Sequence, residues 1–171
     1  MAIIKRFCLA AREGLGIEAR VLKHRDPDCQ WTHVGLAFCS SDDRWSVVHA
    51  DPGDGKNGSV RQVSIDEFCA PGVALHAEIF GLAGSNDIET ANRLYALTND
   101  CLGLPFDGGY DWTRIDAYHC TSFVWHALNR AGLAVVKPPF PTFALPLLGL
   151  RELILPSLLI PNQGDSYVRP R

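Results

Sequence analysis

At 171 residues the chain has the length of one domain, and with 47% hydrophobic residues it can bury a core without covalent staples. A net charge of −3 and the lack of any local Lys/Arg cluster exclude binding to nucleic acid through the phosphates. Six cysteines, at positions 8, 29, 39, 69, 101 and 120, form no CxxC pair, which argues against a zinc knuckle. A disulfide framework stays open, though a chain of this size does not need one.

The opening MAIIKRFCLAAREG has one short apolar stretch flanked by Lys5, Arg6, Arg12 and Glu13, and lacks the longer apolar core of a secretory signal. The expectation is a cytoplasmic protein with reduced cysteines. Function elsewhere would require an export route independent of a cleaved signal. IEARVLKH (17–24) reads as a strand. WTHVGLAFC (31–39) and RWSVVHA (44–50) are rich in β-branched and aromatic residues, and the SSDD between them is turn chemistry, so the pair reads as a hairpin. DPGDGKNG (51–58) is a loop by composition, and SVRQV (59–63) is a further strand. Ser64 and Glu67 have the spacing of a capping box and open a short helical turn, SIDEFCA. VALHAEIF (73–80) is another strand.

Asn86 as N-cap, with Glu89 three residues on, starts a helix that turns Ile88, Ala91, Leu94, Tyr95 and Leu102 inward and stops at Gly103. The Gly/Asp-rich loop LPFDGGYDWTRID leads to a second helix, which carries Cys120 and ends near Gly132. From Lys137 onward the chain is Pro-rich and apolar. Arg151, Glu152 and the prolines exclude a membrane span in FALPLLGLRELIL, leaving a lid, a docking surface or a wrap over the core. The sum is an α+β domain with a mostly antiparallel sheet, one unit over 1–171 with 137–171 as tail or lid.

Cys120 shares a helix face with Phe123, Val124, Ala127, Leu128 and Ala131. The plain reading is a small hydrophobe in the core. Its place in the first helical turn argues otherwise, because unpaired N–H groups and the positive dipole end favour a thiolate and can hold an oxyanion. His33 and His49 supply a second argument. Both are odd-numbered, so a hairpin with an odd-numbered loop brings both imidazoles to one face, while a one-residue slip would separate them. One histidine can then take the thiol proton while the other holds it in place. The same trio suits zinc, yet no fourth ligand or neighbouring Glu base accompanies it, and no metal or other cofactor is expected.

The order HVGLAF, then VVHA, then CTSFVWHAL resembles the NlpC-type papain-like cysteine peptidases in permuted form, the YiiX-like branch related to lecithin–retinol acyltransferase-like enzymes. In unpermuted members the cysteine helix precedes the HVG strand; here it follows. The resemblance covers roughly 31–50 and 103–132. It implies a circularly permuted papain-like fold with the nucleophile at a helix N-terminus: Cys120 as nucleophile, His33 as general base and His49 as third polar residue. Phe106-Asp107 stands where the family often has Tyr-Asp, and Tyr118 holds the aromatic position before the cysteine. Thr121-Ser122 replaces the usual Ser-Glu, and no Gly-Asp strand start is clear in GLGIEAR.

Tyr118, Asp107, Thr121 and Arg114 are the candidate substrate contacts, with Arg61 as a further residue suited to a peptide groove. Asp107 and Asp111 read either as partners of a substrate amine or as solvated loop. Asp51 reads as the start of an Asp-Pro-Gly turn, His119 as a surface residue, His76 and His126 as ordinary, and Trp31 and Trp112 as cleft wall or core. The expected activity is amide hydrolysis through a thioester acyl-enzyme on Cys120, on a bacterial cell-wall (peptidoglycan) peptide. The alternatives are a lipid or N-acyl amide hydrolase or acyltransferase, and a non-catalytic binding domain on the same frame. A peptide or acyl substrate is the expected partner; for a protein delivered as a toxin, an immunity or inhibitor protein would be another.

Overall fold

Ile4–Gly14 forms β1, which the sequence reading left unassigned. Its FCLAA run does not alternate because both faces are covered: Phe7, Leu9 and Ala11 on one side and Cys8 and Ala10 on the other are all fully buried. The computed structural model describes residues 3–53, 57–133, 135–145, 148–160 and 166–167. Ile17–Arg25, expected as a strand, is the helix α1. Its Glu, Ala, Arg, Leu and Lys residues are good helix formers, and that preference prevails over the β-branched Ile17 and Val21.

The hairpin is present as β2 (His33–Ser40) and β3 (Trp45–Asp51), followed by β4 (Ser59–Ser64), the turn α2 (Ile65–Phe68) and β5 (Ala74–Gly81). Ser64 Oγ accepts the Glu67 N–H at 3.1 Å, the cap that its spacing predicted. The 51–58 loop starts one residue late, since Asp51 closes β3, and its residues 54–56 lie outside the described residues. α3 runs Ile88–Asn99 and α4 Cys120–Arg130. Asp87, not Asn86, caps α3, accepting the Thr90 N–H at 3.0 Å. That one-residue shift carries Ile88 outward, to 54% exposure; Leu102, beyond the helix end, is 42% exposed. Gly132 stops α4 at φ +76, with Leu133 N–H reaching back to the Leu128 carbonyl at 3.0 Å.

All sheet pairings are antiparallel, in the order β4-β3-β2-β1-β5 with the short β8 (Ser166–Tyr167) at the edge. α3 packs on β1 and α4 on β2 and β3, burying Phe7, Leu9, Val34, Leu36, Phe38 and Val48 against Leu94, Phe123 and Val124. The other face buries Cys8, Ala10, Ala37, Val47 and Ile79 around Phe68 of α2. The described part of the tail packs against the core. β6 (Thr142–Leu145) and β7 (Gly149–Glu152) form a hairpin beside a 3-10 turn at Pro156–Leu158. Leu145, Leu153 and Leu155 cluster with Val21 and Tyr110, while Ile154 and Leu159 enter the main core. Each buried side chain of this size contributes about 1.5–3 kcal/mol. Among the described residues, no helix is long and apolar enough to cross a membrane.

Candidate active site

The hairpin pairs Leu36 with Val48 and Ala37 with Val47, odd with odd, so His33 and His49 fall on one face. His33 Nε2 lies 2.9 Å from His49 Nδ1, a hydrogen bond between two buried rings set edge to face. Phe68 underlies both, with ring centroids 5.9 Å from His33 and 5.3 Å from His49. Gly35 makes the approach feasible: a Cβ there would stand 2.8 Å from Val47 Cγ1 and 2.9 Å from His49 Cβ.

The β1–β2 register sets Arg12 opposite His33. The Arg12 guanidinium lies 4.7 Å over the Phe68 ring and donates through Nη1 to the Phe68 carbonyl at 3.1 Å. Burial lowers its pKa, while Asp51 and then Cys120 favour its charge, so the cysteine and this cation lie within electrostatic reach. Burial, and next the Arg12 charge, hold His33 well below the usual histidine range. The same two causes push His49 down to about 3, with Asp51 opposing. Both rings are therefore neutral at physiological pH. Asp51 accepts the Gly53 N–H at 2.9 Å, the turn its sequence predicted, and also pairs with Arg61 at 2.7 Å.

Cys120 is the first residue of α4, 6% exposed, in the cluster that covers the α3–α4 face of the sheet. His119 precedes it as N-cap. Its backbone N–H donates to Ser122 Oγ at 3.1 Å, and Ser122 Oγ donates to the His119 carbonyl at 3.1 Å. His119 was expected at the surface but is 2% exposed. Docking the helix start presses its ring against Tyr110 and puts its Nδ1 3.0 Å from Thr121 Oγ1. Burial pushes its pKa down to about 3.

The other sequence candidates sit elsewhere. Tyr118 is buried, its ring against Phe123 and His126 and its hydroxyl bonded to Cys101. Thr121 is buried against His119. Asp107 is neither solvated nor open to a ligand: at 4% exposure it accepts the Gly109 and Asp111 N–H groups, at 3.1 and 2.6 Å, and so folds its own loop. Arg114 pairs with Asp116 at 2.9 Å and with Asp107 at 3.5 Å. His126 bonds the Trp112 carbonyl at 2.7 Å, and Trp112 fills core between Trp125 and Phe140.

A cleft of about 380 Å³ opens at His33, with Arg12, Thr32 and Asp51 as its polar walls and glycine-rich backbone from the start of α1 and from 72–73 around them. Of the candidate site residues only His33 lines it; Cys120, His49, Tyr118, Asp107, Thr121 and Arg114 do not. Arg12 is the residue that sequence reasoning missed; its signal was a charge closing an apolar run, legible only once that run is known to be a strand beside His33. A second hollow, of about 630 Å³, lies at the far end of the sheet between Ser40, Trp45 and Tyr95, away from the histidines. Among the described residues no group of three or more His, Cys, Asp or Glu side chains is placed to hold a metal ion.

The histidine strands precede the cysteine helix, and the model of one family follows that order. Residues 17–139 match the permuted papain-like amidase enzymes, the YaeF/YiiX, C92 family. The chain belongs to this family. It is therefore a hydrolase of the papain-like amidase type. The crystal structure of the metalloprotein yiiX from Escherichia coli O157:H7 superposes over 90% of either chain with a TM-score of 0.66 at 14% identity, so the two share a fold. A search of curated proteins finds no match. The matched span leaves out β1, and with it Arg12.

Proposed function

We propose that the protein is a thiol amidase, a single catalytic domain in which Cys120 is the nucleophile, His33 the general base and His49 the residue that orients it. The observation that carries this reading is the buried 2.9 Å bond between His33 Nε2 and His49 Nδ1, with His33 on the wall of a cleft. With His33 donating from Nε2, its Nδ1 keeps a lone pair for the thiol proton. Depressed pKa values keep that lone pair available at neutral pH.

His33 takes the Sγ proton and the thiolate attacks the amide carbonyl carbon. The first-turn N–H groups of α4 hold the oxyanion. Collapse breaks the C–N bond, and the leaving amine takes the proton from His33, leaving a thioester on Cys120. Water, deprotonated by His33, attacks the thioester; the acid departs and the thiol is restored. The acceptor atom of His49 steadies the imidazolium.

A cell-wall peptide amide is the favoured substrate, because the cleft wall carries both a cation, Arg12, and a carboxylate, Asp51. The exposed Leu15 and Val73 at its rim, 44% and 39% accessible, are the observation on the side of an acyl-amide substrate. The relative's description as a metalloprotein is not carried over: the two imidazoles are bonded to each other and, among the described residues, no group of three or more His, Cys, Asp or Glu side chains is placed to hold a metal ion.

The test is the pH dependence of iodoacetamide alkylation, followed thiol by thiol by mass spectrometry in the native protein and a His33→Ala variant. Burial raises the pKa of Cys8 to about 11 and raises those of Cys29, Cys39 and Cys101, so these four serve as slow internal references. Cys120 should react fastest below pH 7 and lose that lead without His33, and Cys120→Ala should abolish amide turnover with the fold intact. An inert Cys120, as a binding domain would have, sinks the reading.

A further inference from the structure

We propose that Arg12 and the N-terminus of α1 form a subsite for a carboxylate, so that the amide cleaved at Cys120 belongs to a peptide carrying a free carboxylate beside the scissile bond. This rests on the thiol amidase reading and names what that site selects.

Arg12 is 9% exposed and lines the cleft. Among the described residues its one acceptor is a neutral carbonyl, that of Phe68, and its Nε has no partner. The nearby carboxylate, Asp51, is already held by Arg61 and by the Gly53 N–H. A buried cation without a bonded anion is costly, and the cost is recovered when an anion arrives. A guanidinium fork matches the two oxygens of a carboxylate.

The cleft wall provides the second half. Gly14, Leu15, Gly16 and Ala19 line it, so the start of the nine-residue α1 borders the same space as Arg12. Among the described residues no side chain caps that start. Its first-turn N–H groups carry the positive end of the helix dipole into the cleft, as an anion requires. A Cβ added at Gly16 or at Gly72 would meet nothing within 4 Å, so the cleft is open where a ligand would lie. One guanidinium with Asp51 on the same wall suits a monoanion and repels a dianion, which favours a carboxylate over a phosphate.

The test uses the full-length Cys120→Ala protein, which binds without turning over. Calorimetry should show the dipeptide Ala-Glu binding at least ten-fold tighter than its amidated form, Ala-Gln-NH2. Arg12→Met should erase that preference and Arg12→Lys should keep part of it. Should Arg12→Met fail to fold by circular dichroism, Gly72→Trp, which fills the cleft and leaves Arg12 in place, should abolish Ala-Glu binding. In the active enzyme, Arg12→Met should raise KM for a carboxylate-bearing peptide amide at least ten-fold more than for its amidated counterpart. Equal binding of the two dipeptides, or a preference that survives Arg12→Met or Gly72→Trp, overturns the subsite. Binding with the expected preference but without turnover in the parent protein would overturn the amidase reading and leave the subsite standing.

Discussion

A neutral imidazole bonded to a second neutral imidazole has a defined use for its free nitrogen. His49 is fully buried, packed on Phe68, and its charge is opposed by burial and by Arg12. It does not itself take up a proton near neutrality; in the proposed mechanism it accepts one hydrogen bond and so fixes which nitrogen of His33 faces the reaction. His49→Ala should therefore lower kcat by on the order of 10²-fold with KM nearly unchanged. His49→Asn should recover much of the loss, because its carboxamide oxygen can still accept from His33 Nε2. Steady-state kinetics on any turned-over peptide amide separates the two, and a uniform loss in both variants would assign His49 a packing role only. At this scale the histidine pair was legible from the sequence, since the parity of two residue numbers across one hairpin decides their face. The burial of Asp107, Tyr118 and His119 was not: each is set by loop and helix-start packing that has no period to read.

Elements were legible where their pattern is set locally and hidden where it is set by the fold. The hairpin, the Ser64 cap and the Gly132 stop each rest on a few neighbouring residues. β1 is covered on both faces, so its sequence shows a run where an exposed-face strand shows alternation, and its loss from the reading misplaced strand character onto α1. That error also concealed Arg12, because the residue opposite His33 belongs to the unread strand. The hairpin itself tolerates little. Beyond its two side-chain neighbours, a Cβ on Gly35 would lie 3.0 Å from the Val48 carbonyl oxygen, and that backbone atom has little room to give. Gly35→Ala should then destabilise the protein by about 1–3 kcal/mol through overpacking, and activity should fall by more than the unfolded fraction explains, because β3 carries His49. Urea unfolding with parallel kinetics checks both; unchanged stability would mean that β2 and β3 are more loosely paired than these distances allow.

Across the whole molecule, buried ionisable groups confine stability to a band of pH. His33, His49 and His119 are buried and held neutral, the last two with pKa values of about 3 against an ordinary 6.5. Below pH 6.5 the unfolded chain binds protons that the folded one refuses, so acid favours unfolding. Stability should fall from 6.5 toward 3, with a slope of up to about 1.4 kcal/mol per pH unit for each histidine. On the alkaline side Cys8, ordinarily near 9.0, is raised to about 11 by burial, and Cys29, Cys39 and Cys101 are raised in the same sense. There the unfolded chain loses protons that the folded one keeps, and stability falls as pH climbs past about 9. The optimum therefore lies between about 6.5 and 9, set by burial and independent of the −3 net charge. Urea midpoints at pH 7, 5.5 and 4.5 follow the histidines, with carboxylates contributing only toward the last point. His126 is lowered in the same sense by partial burial, so a His119→Gln variant, which removes one of four contributing imidazoles, should shallow the acid limb by about a quarter to a third. A midpoint that stays level from pH 7 to 4.5 would mean that the imidazoles charge without cost in the folded protein, and the neutral His33 on which the mechanism depends would be lost with them.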